Sequence, residues 1–265
     1  MILRRLSTSI RKQDWFAVVI ETLIVVMGVG LAMWGQQWLS DRQSRADYER
    51  AVENLREDVV ALHFAAKERL AVRTCRQARY VEVGELLMKM DEPWPGVAKD
   101  FGDEAAFGSG LPSAFQSPLR PWSSQVWNTG VERGSFDQMD ADLRQALGFI
   151  FYSAQMAETL QQQVYDLESG LQTLAHPLDM TASDRMRYYD RLAQADAAQI
   201  ILEVLSMQVS QAIDYADGDL QLGEAYNAPT TASLAADMDR LTDVHGDCVE
   251  PLEFDYTGDA AGGTE

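Results

Sequence analysis

Apolar positions divide the chain into one uninterrupted apolar run and a series of segments in which apolar residues recur every three or four positions. The run covers residues 16–34 and contains a single charged residue, Glu21. A helix that crosses a bilayer needs about 20 mostly apolar residues. Trp15 and Trp38 flank the run, as interfacial aromatic residues do. The pattern predicts a transmembrane helix over residues 15–38.

The charges before the run predict its orientation. Residues 1–14 carry four basic residues and one acidic residue. By the positive-inside rule, we expect this segment in the cytoplasm and the chain from about residue 39 onward outside it. Two alternatives stay open. One is a cleaved signal peptide with its cleavage site at residues 30–32, and the other is a buried helix of a soluble protein.

One face of the predicted anchor combines small residues with the glutamate. Spaced four, three, four and three residues apart, its members are Glu21, Val25, Gly28, Ala32 and Gly35. Small residues let a second helix approach closely, and an ionisable group at membrane depth usually faces protein or water. We therefore expect a helix–helix contact here, with a second copy or a partner membrane protein. Alternatively, Glu21 reaches the headgroups and pairs with Arg11 or Lys12.

Beyond the anchor, the helical spacing of apolar residues predicts three long helices and two short ones. The first runs on from the anchor to Val83, since residues 36–83 contain neither Gly nor Pro. The other predicted helices cover Ser123–Asn128, the stretch from Asp137 or Asp140 to the residue before Pro177, the stretch from Ser183 toward Gly218, and residues 230–243. On the third long helix the members of the predicted core stripe are Tyr189, Leu192, Ile200, Val204, Leu205, Val209 and Ile213.

These elements predict an all-α protein in which one transmembrane helix continues into an extracytoplasmic, mainly antiparallel helical bundle over residues 39–245. The stripe of the first helix also fits a coiled coil between chains over about three heptads, which is the alternative to a bundle within one chain. Residues 246–265 are acidic and Gly-rich, and we expect them to form a flexible tail.

Residues 91–122 interrupt the helical pattern with five Pro and four Gly residues. Such long loops are usually functional or disordered, but the aromatic residues in this one argue against disorder. Trp94 and Trp122, together with Trp127 just beyond the loop, either line a ligand groove or anchor the loop on the core.

Charge excludes one class of partner. The formal net charge is −19, and a surface this acidic repels phosphate backbones. We therefore expect no nucleic acid among the partners. The two cysteines, Cys75 and Cys248, fit no zinc-type spacing. In an extracytoplasmic domain they either form a disulfide or stay as two thiols.

Recognisable catalytic and metal-binding motifs are missing from the sequence, which has three histidines and no HExxH, GxSxG, P-loop or dinucleotide fingerprint. Residues 213–224 look like a calcium loop, but Ile213 falls where a carboxylate is required. His63 fits the edge of the core better than a metal site. The segment 245–248 offers three potential ligands but lacks the second pair of a metal site. We expect no cofactor and no metal.

Two blocks of sequence resemble a family of bacterial single-pass membrane proteins of unknown function. The first block is Glu21-x3-Val25-x2-Gly28-x3-Ala32-x5-Trp38 followed by the charged segment 53–58. The second is the segment 126–130 with its W-x2-G motif, followed by Leu143-Arg144 and Phe151-Tyr152. The resemblance implies an inner-membrane protein with a cytoplasmic N-terminus and a periplasmic domain, and it implies no chemistry.

The sequence thus favours a non-enzymatic, membrane-anchored scaffold or protein-interaction module. A ligand-binding or sensor subunit that acts through a membrane partner is the alternative. An enzyme of unrecognised type is a third hypothesis, and it would need a cleft with convergent polar groups.

Overall fold

A computed structural model describes residues 15–97, 118–226, 241 and 248–251. Over these residues the chain is helical apart from turns, short irregular segments and one isolated β-bridge between Trp94 and Leu178. The prediction of an all-α chain with a long apolar N-terminal helix is confirmed. In chain order the helices are α1 (Trp15–Ala71), α2 (Arg73–Met88), α3 (Gln125–Glu132), α4 (Ala141–Ser169), a 3-10 helix (Gln172–Ala175), α5 (Ala182–Leu220) and α6 (Leu222–Tyr226).

The chain divides into two units, Met1–Arg50 and Ala51–Glu265. In the first unit the described residues form the N-terminal part of α1, and their side chains from residue 19 to 34 are exposed. Among the described residues, α1 is the one helix long and apolar enough to cross a membrane, with a mean hydropathy of 1.6 in its apolar window. None of that window is buried, which contradicts the alternative of a buried core helix.

The second unit holds the hydrophobic core, to which the C-terminal part of α1 contributes its predicted stripe. Leu55, Val59, Leu62 and Ala66 are all buried. The helix predicted to continue to Val83 is interrupted at Val72. The Val72 N–H still donates to the Glu68 carbonyl (3.3 Å), and the Val72 carbonyl accepts from the Arg76 N–H (3.0 Å). The interruption is therefore local, and α2 follows after one residue.

Side-chain caps fix where the later helices begin. Asp140 caps α4, as one of the two predicted candidates, because its carboxylate accepts from the Asp142 and Leu143 N–H groups (2.9 and 3.3 Å). The helix α5 begins at Ala182, one residue before the predicted start at Ser183. Thr181 and Asp184 form a capping box there.

The α5 stripe needs a correction. Leu192, Leu205, Val209 and Ile213 are buried, whereas Tyr189, Ile200 and Val204 are 37%, 50% and 43% exposed. This helix has two apolar faces, one buried and one exposed. Periodicity alone does not separate them, so the predicted core stripe contains residues of both faces.

The end of α5 also differs from the prediction. The helix continues through Gly218 and ends before Gln221, which has a left-handed backbone (φ 54°) and donates its N–H to the Asp217 carbonyl (2.7 Å). The predicted helix 230–243 and the predicted tail fall outside the described residues, except for residues 241 and 248–251. Of the loop 91–122, the structure describes 91–97 and 118–122.

Candidate functional site

The predicted contact surface of the anchor is open. We call Glu21, Val25, Gly28, Ala32 and Gly35 the small-residue face. Because α1 is helical throughout, their spacing places them on one side of it. Among the described residues, and apart from the flanking residues and the backbone of the helix itself, no atom lies within 4 Å of the position that a Cβ atom would occupy at Gly28 or Gly35. A second helix can therefore approach this face closely. Arg11 and Lys12, the alternative partners of Glu21, lie outside the described residues.

The three tryptophans occupy separate environments. The Trp94 ring is 1% exposed and donates from Nε1 to the Leu174 carbonyl (3.0 Å). Trp122 is fully buried and donates to the Gln161 side chain (3.1 Å). Trp127 stacks between Phe136 and Phe151, with ring centroids 5.3 and 5.1 Å away.

Phe151 and Gln161 are ten positions apart on α4, which is about 15 Å along a helix, and Leu174 lies beyond the end of α4 in the 3-10 helix. The three rings thus contact different parts of the core. The burial of Trp94 and Trp122 agrees with the packing interpretation of the loop.

A disulfide joins Cys75 on α2 to Cys248, with the two Cα atoms 5.2 Å apart. Of the alternatives left by the sequence, the structure has the bonded pair. Glu250 strengthens the attachment, since its N–H donates to the Ala71 carbonyl (2.9 Å) and its carboxylate accepts from Arg73 and Thr74. These hydrogen bonds lower the pKa of Glu250. The segment 248–251 is held against the junction of α1 and α2. With its sulfur in the disulfide, Cys248 is not available as a metal ligand.

A polar layer that the sequence pattern does not predict lies inside the second unit. At its centre, Arg69 of α1 is 3% exposed and donates to Gln161 of α4 (2.9 Å) and Gln199 of α5 (3.1 Å). It also donates to the Pro118 carbonyl (2.6 Å). Burial lowers the pKa of Arg69 to about 10, so the guanidinium is charged at neutral pH. One side chain thereby connects three helices with the end of the loop.

Carboxylates complete this layer. Glu168 accepts from Tyr80 (2.5 Å) and from Gln199 (3.1 Å). Burial first, and then the nearby Glu168 charge, raise the pKa of Tyr80 above its usual range, so Tyr80 keeps its proton and acts as a donor. Glu68 accepts two hydrogen bonds from Arg120 (2.8 and 3.2 Å). Both terminal nitrogens of the Arg69 guanidinium, as well as the Glu68 and Glu168 carboxylates, therefore have hydrogen-bonded partners, as buried ions require.

A histidine, a serine and an aspartate meet between α1 and α5. His63 is 1% exposed, and its Nε2 atom lies 3.0 Å from the Ser210 hydroxyl and 3.3 Å from the Asp214 carboxylate. In a catalytic triad the acid binds one ring nitrogen and the serine binds the other. Here both approach the same nitrogen, and Ser210 is buried. The arrangement cannot activate a nucleophile for an external substrate.

The environment of His63 is better described as a buried neutral imidazole. Burial, and to a smaller extent the nearby Lys67 charge, lower its pKa to about 3. Sequence reasoning expected a residue at the edge of the core, but the structure places His63 inside it.

A groove of about 630 Å³ lies between α2 and α5. Apolar side chains of both helices line most of it, and Gln77, Glu85 and Asp196 add polar groups. The apolar members include Val81, Met88, Tyr189 and Leu192. Gly84 forms part of its wall. A Cβ atom there would lie 3.6 Å from the Tyr189 ring and 3.7 Å from Leu192.

Within the described ranges, no group of three or more His, Cys, Asp or Glu residues is placed to hold a metal ion. Comparison of the chain with protein-family models, curated proteins and solved structures finds no match. The resemblance to a membrane-protein family of unknown function therefore stays a prediction.

Proposed function

We propose that the protein is a membrane-anchored, non-enzymatic helical scaffold or protein-interaction module. Residues 15–38 cross the bacterial inner membrane, residues 1–14 are cytoplasmic, and the helical domain over residues 39–245 is periplasmic. One observation carries the proposal. The side chains of the apolar segment are exposed along its whole described length, for example Leu31 at 66% and Trp34 at 69%. An apolar surface this large marks contact with a membrane or a partner.

The disulfide supports the proposed side of the membrane. Disulfides persist in oxidising compartments and are rare in the cytosol. The pair Cys75–Cys248 would be stable in the periplasm. The basic residues before the anchor favour the same orientation.

For the domain we propose a mainly antiparallel bundle, and three contacts between α1–α2 and α5 support it. His63 lies by Ser210, Arg69 by Gln199, and Arg185 donates to the Leu86 carbonyl. As residue numbers rise on α1 and α2, those on α5 fall, so α5 runs in the opposite direction. By contrast, Arg69 contacts Gln161 and Tyr80 contacts Glu168, so α4 runs in the same direction as α1 and α2.

Within the membrane, we propose that the small-residue face pairs with a second copy or with a helix of a partner protein. Gly28 and Ala32 form a small-xxx-small pair, whose close approach gains packing without a hydrophobic driving force. The non-enzymatic assignment is supported by the geometry around His63, where serine and aspartate share one nitrogen.

Photo-crosslinking in native membranes tests this role. A crosslinking amino acid replaces Ala32 on the small-residue face or, as the matched control, Val26 on the opposite side of the helix. We expect a product of twice the chain mass, or a discrete product with one partner, from position 32 and much less from position 26. Gly28→Ile should reduce the product several-fold. Equal yields from both positions contradict the proposed contact. The proposed topology is refuted if a reporter enzyme that works only in the cytoplasm is active when it is fused after residue 40.

A second candidate is a ligand-binding or sensor subunit, and the groove between α2 and α5 favours it. Its volume lies within the range of pockets for small molecules. Nile red, a neutral fluorescent probe, tests its capacity for apolar ligands. Binding by the full-length protein that is lost in Gly84→Leu, whose side chain would fill the groove, supports the candidate. Binding that is equal in both proteins refutes it.

A further inference from the structure

The outer side of α5 carries an apolar stripe that points away from the core. Its members recur four, three, four, three and four residues apart. We call Ala193, Ala197, Ile200, Val204, Met207 and Gln211 the α5 seam; all six are exposed. The three large apolar members are 50%, 43% and 41% exposed, from Ile200 to Met207. This spacing is the heptad pattern by which helices pair in water.

Charge distinguishes the seam from the rest of the surface. None of its six positions is ionisable, in a chain whose net charge is −19. One bordering row also lacks charge, since it contains Gln194, Ile201, Gln208 and Tyr215. An acidic protein that meets its own copy must do so where like charges do not face each other, because a twofold interface places the same patch on both sides.

The other bordering row contains the acidic residues Asp196 and Glu203, and both are already paired. Arg76 of α2 donates to Asp196 (3.2 Å) and to Glu203 from two nitrogens. These hydrogen bonds and the charge of Glu203 hold the pKa of Arg76 above its usual value, against the effect of burial. Each carboxylate thus has an ionic partner, although the single Arg76 charge offsets only one of the two negative charges in this row.

We propose that the α5 seam pairs with the same seam of a second copy of this chain. The stretch from Ala193 to Gln211 would be about 27 Å long and 10 Å wide, or roughly 300 Å² of helix face. A standard stable interface buries about 800 Å² per partner. The seam alone thus gives a weak pairing, which tethering to one membrane strengthens by raising the effective concentration. In this respect the inference rests on the proposed anchoring.

Thiol crosslinking of the full-length chain in isolated membranes tests the pairing. Val204→Cys places a thiol in the seam, and Gln145→Cys places one on an exposed polar position of α4 as the matched control. Because Cys75 and Cys248 are bonded to each other, a short bismaleimide reacts with the introduced thiol alone. We expect at least five-fold more product of twice the chain mass from the seam position. Added to Val204→Cys, Ile200→Glu should remove most of that product, and Gln145→Glu should not.

Three results overturn the pairing. The first is equal crosslinking of the seam and control thiols, and the second is a product whose mass shows a different protein as the partner. The third is no loss of product with Ile200→Glu in a protein that near-ultraviolet circular dichroism shows to be folded. The proposed anchoring is judged separately by the membrane fraction. If the chain is recovered as a soluble protein, the anchoring fails, and the same comparison of thiols in that fraction still decides the seam.

Discussion

The burial of His63 predicts a specific acid sensitivity of the fold. A histidine in the unfolded chain has a pKa of about 6.5, whereas burial lowers the pKa of His63 to about 3 in the folded protein. Between these values the unfolded chain binds a proton that the folded protein does not. The contribution of His63 to the free energy of unfolding is therefore fully present above pH 6.5 and falls as the pH falls toward 3.

The magnitude follows from the width of this window. Each pH unit below the unfolded pKa of about 6.5 changes the free energy of unfolding by about 1.4 kcal/mol. Acidification from pH 7 to pH 5 therefore lowers the free energy of unfolding by about 2 kcal/mol through His63 alone. Asp214, 3.3 Å from the ring nitrogen, attracts a proton to His63 and opposes this effect. Its carboxylate is 54% exposed and its charge is screened by solvent, so we expect burial to dominate.

Urea unfolding of the full-length protein in detergent, followed by tryptophan fluorescence at pH 7 and pH 5, measures the effect. The stability difference between wild type and His63→Gln should shrink by about 2 kcal/mol between these pH values, since the variant lacks the buried imidazole. The comparison cancels the titration of the many carboxylates. His176→Gln, at an exposed position, should leave the pH dependence unchanged. A difference between wild type and His63→Gln that is the same at both pH values refutes the reasoning.

Three further substitutions, two of them with a matched control variant, test the fold by the same unfolding measurement. Arg69→Met should lower the free energy of unfolding by about 3–5 kcal/mol, because it leaves buried polar partners unpaired. Its control, Arg73→Met, removes an exposed ion pair and should lower it by at most about 1 kcal/mol. Similar losses in the two variants would contradict the buried layer. Gly130→Ala should cost about 1–3 kcal/mol, since its Cβ would overlap the Phe136 ring, but Gly218→Ala, in open space within α5, should stabilise by about 0.5–1 kcal/mol. Cys75→Ser should cost about 2–5 kcal/mol, and unchanged stability would show that the disulfide does not contribute.

Sequence reasoning succeeded where one physical signal dominated. The apolar run and the cap at Asp140 each depend on a local pattern, and the structure has both. The start of α5 differs from the prediction by one residue, because Thr181 and Ser183 are both good capping residues. What distinguishes Thr181 is the reciprocal hydrogen bond with Asp184.

The polar layer escaped prediction for a more general reason. In each of three helices a polar residue is buried beside an apolar neighbour that is less buried: Arg69 beside Leu70, Gln161 beside Leu160, and Gln199 beside Ile200. The sequence pattern predicts that the apolar member of each pair lies in the core, since burying an unpaired polar group costs free energy. The pairing lies in other helices, 92 and 130 residues away from Arg69 along the chain, where no local pattern reveals it.

The polar layer and the outward stripe of α5 have a common physical cause. Adjacent residues on a helix are 100° apart, so a rotation of α5 that buried Ile200 would move Gln199 out of the layer. That rotation would break the hydrogen bonds of Gln199 with Arg69 and Glu168. Leaving those buried groups unpaired costs more than the burial of one apolar side chain gains. The interior hydrogen bonds therefore fix the rotation of α5, and as a consequence they hold the α5 seam on the surface, where a second copy can reach it.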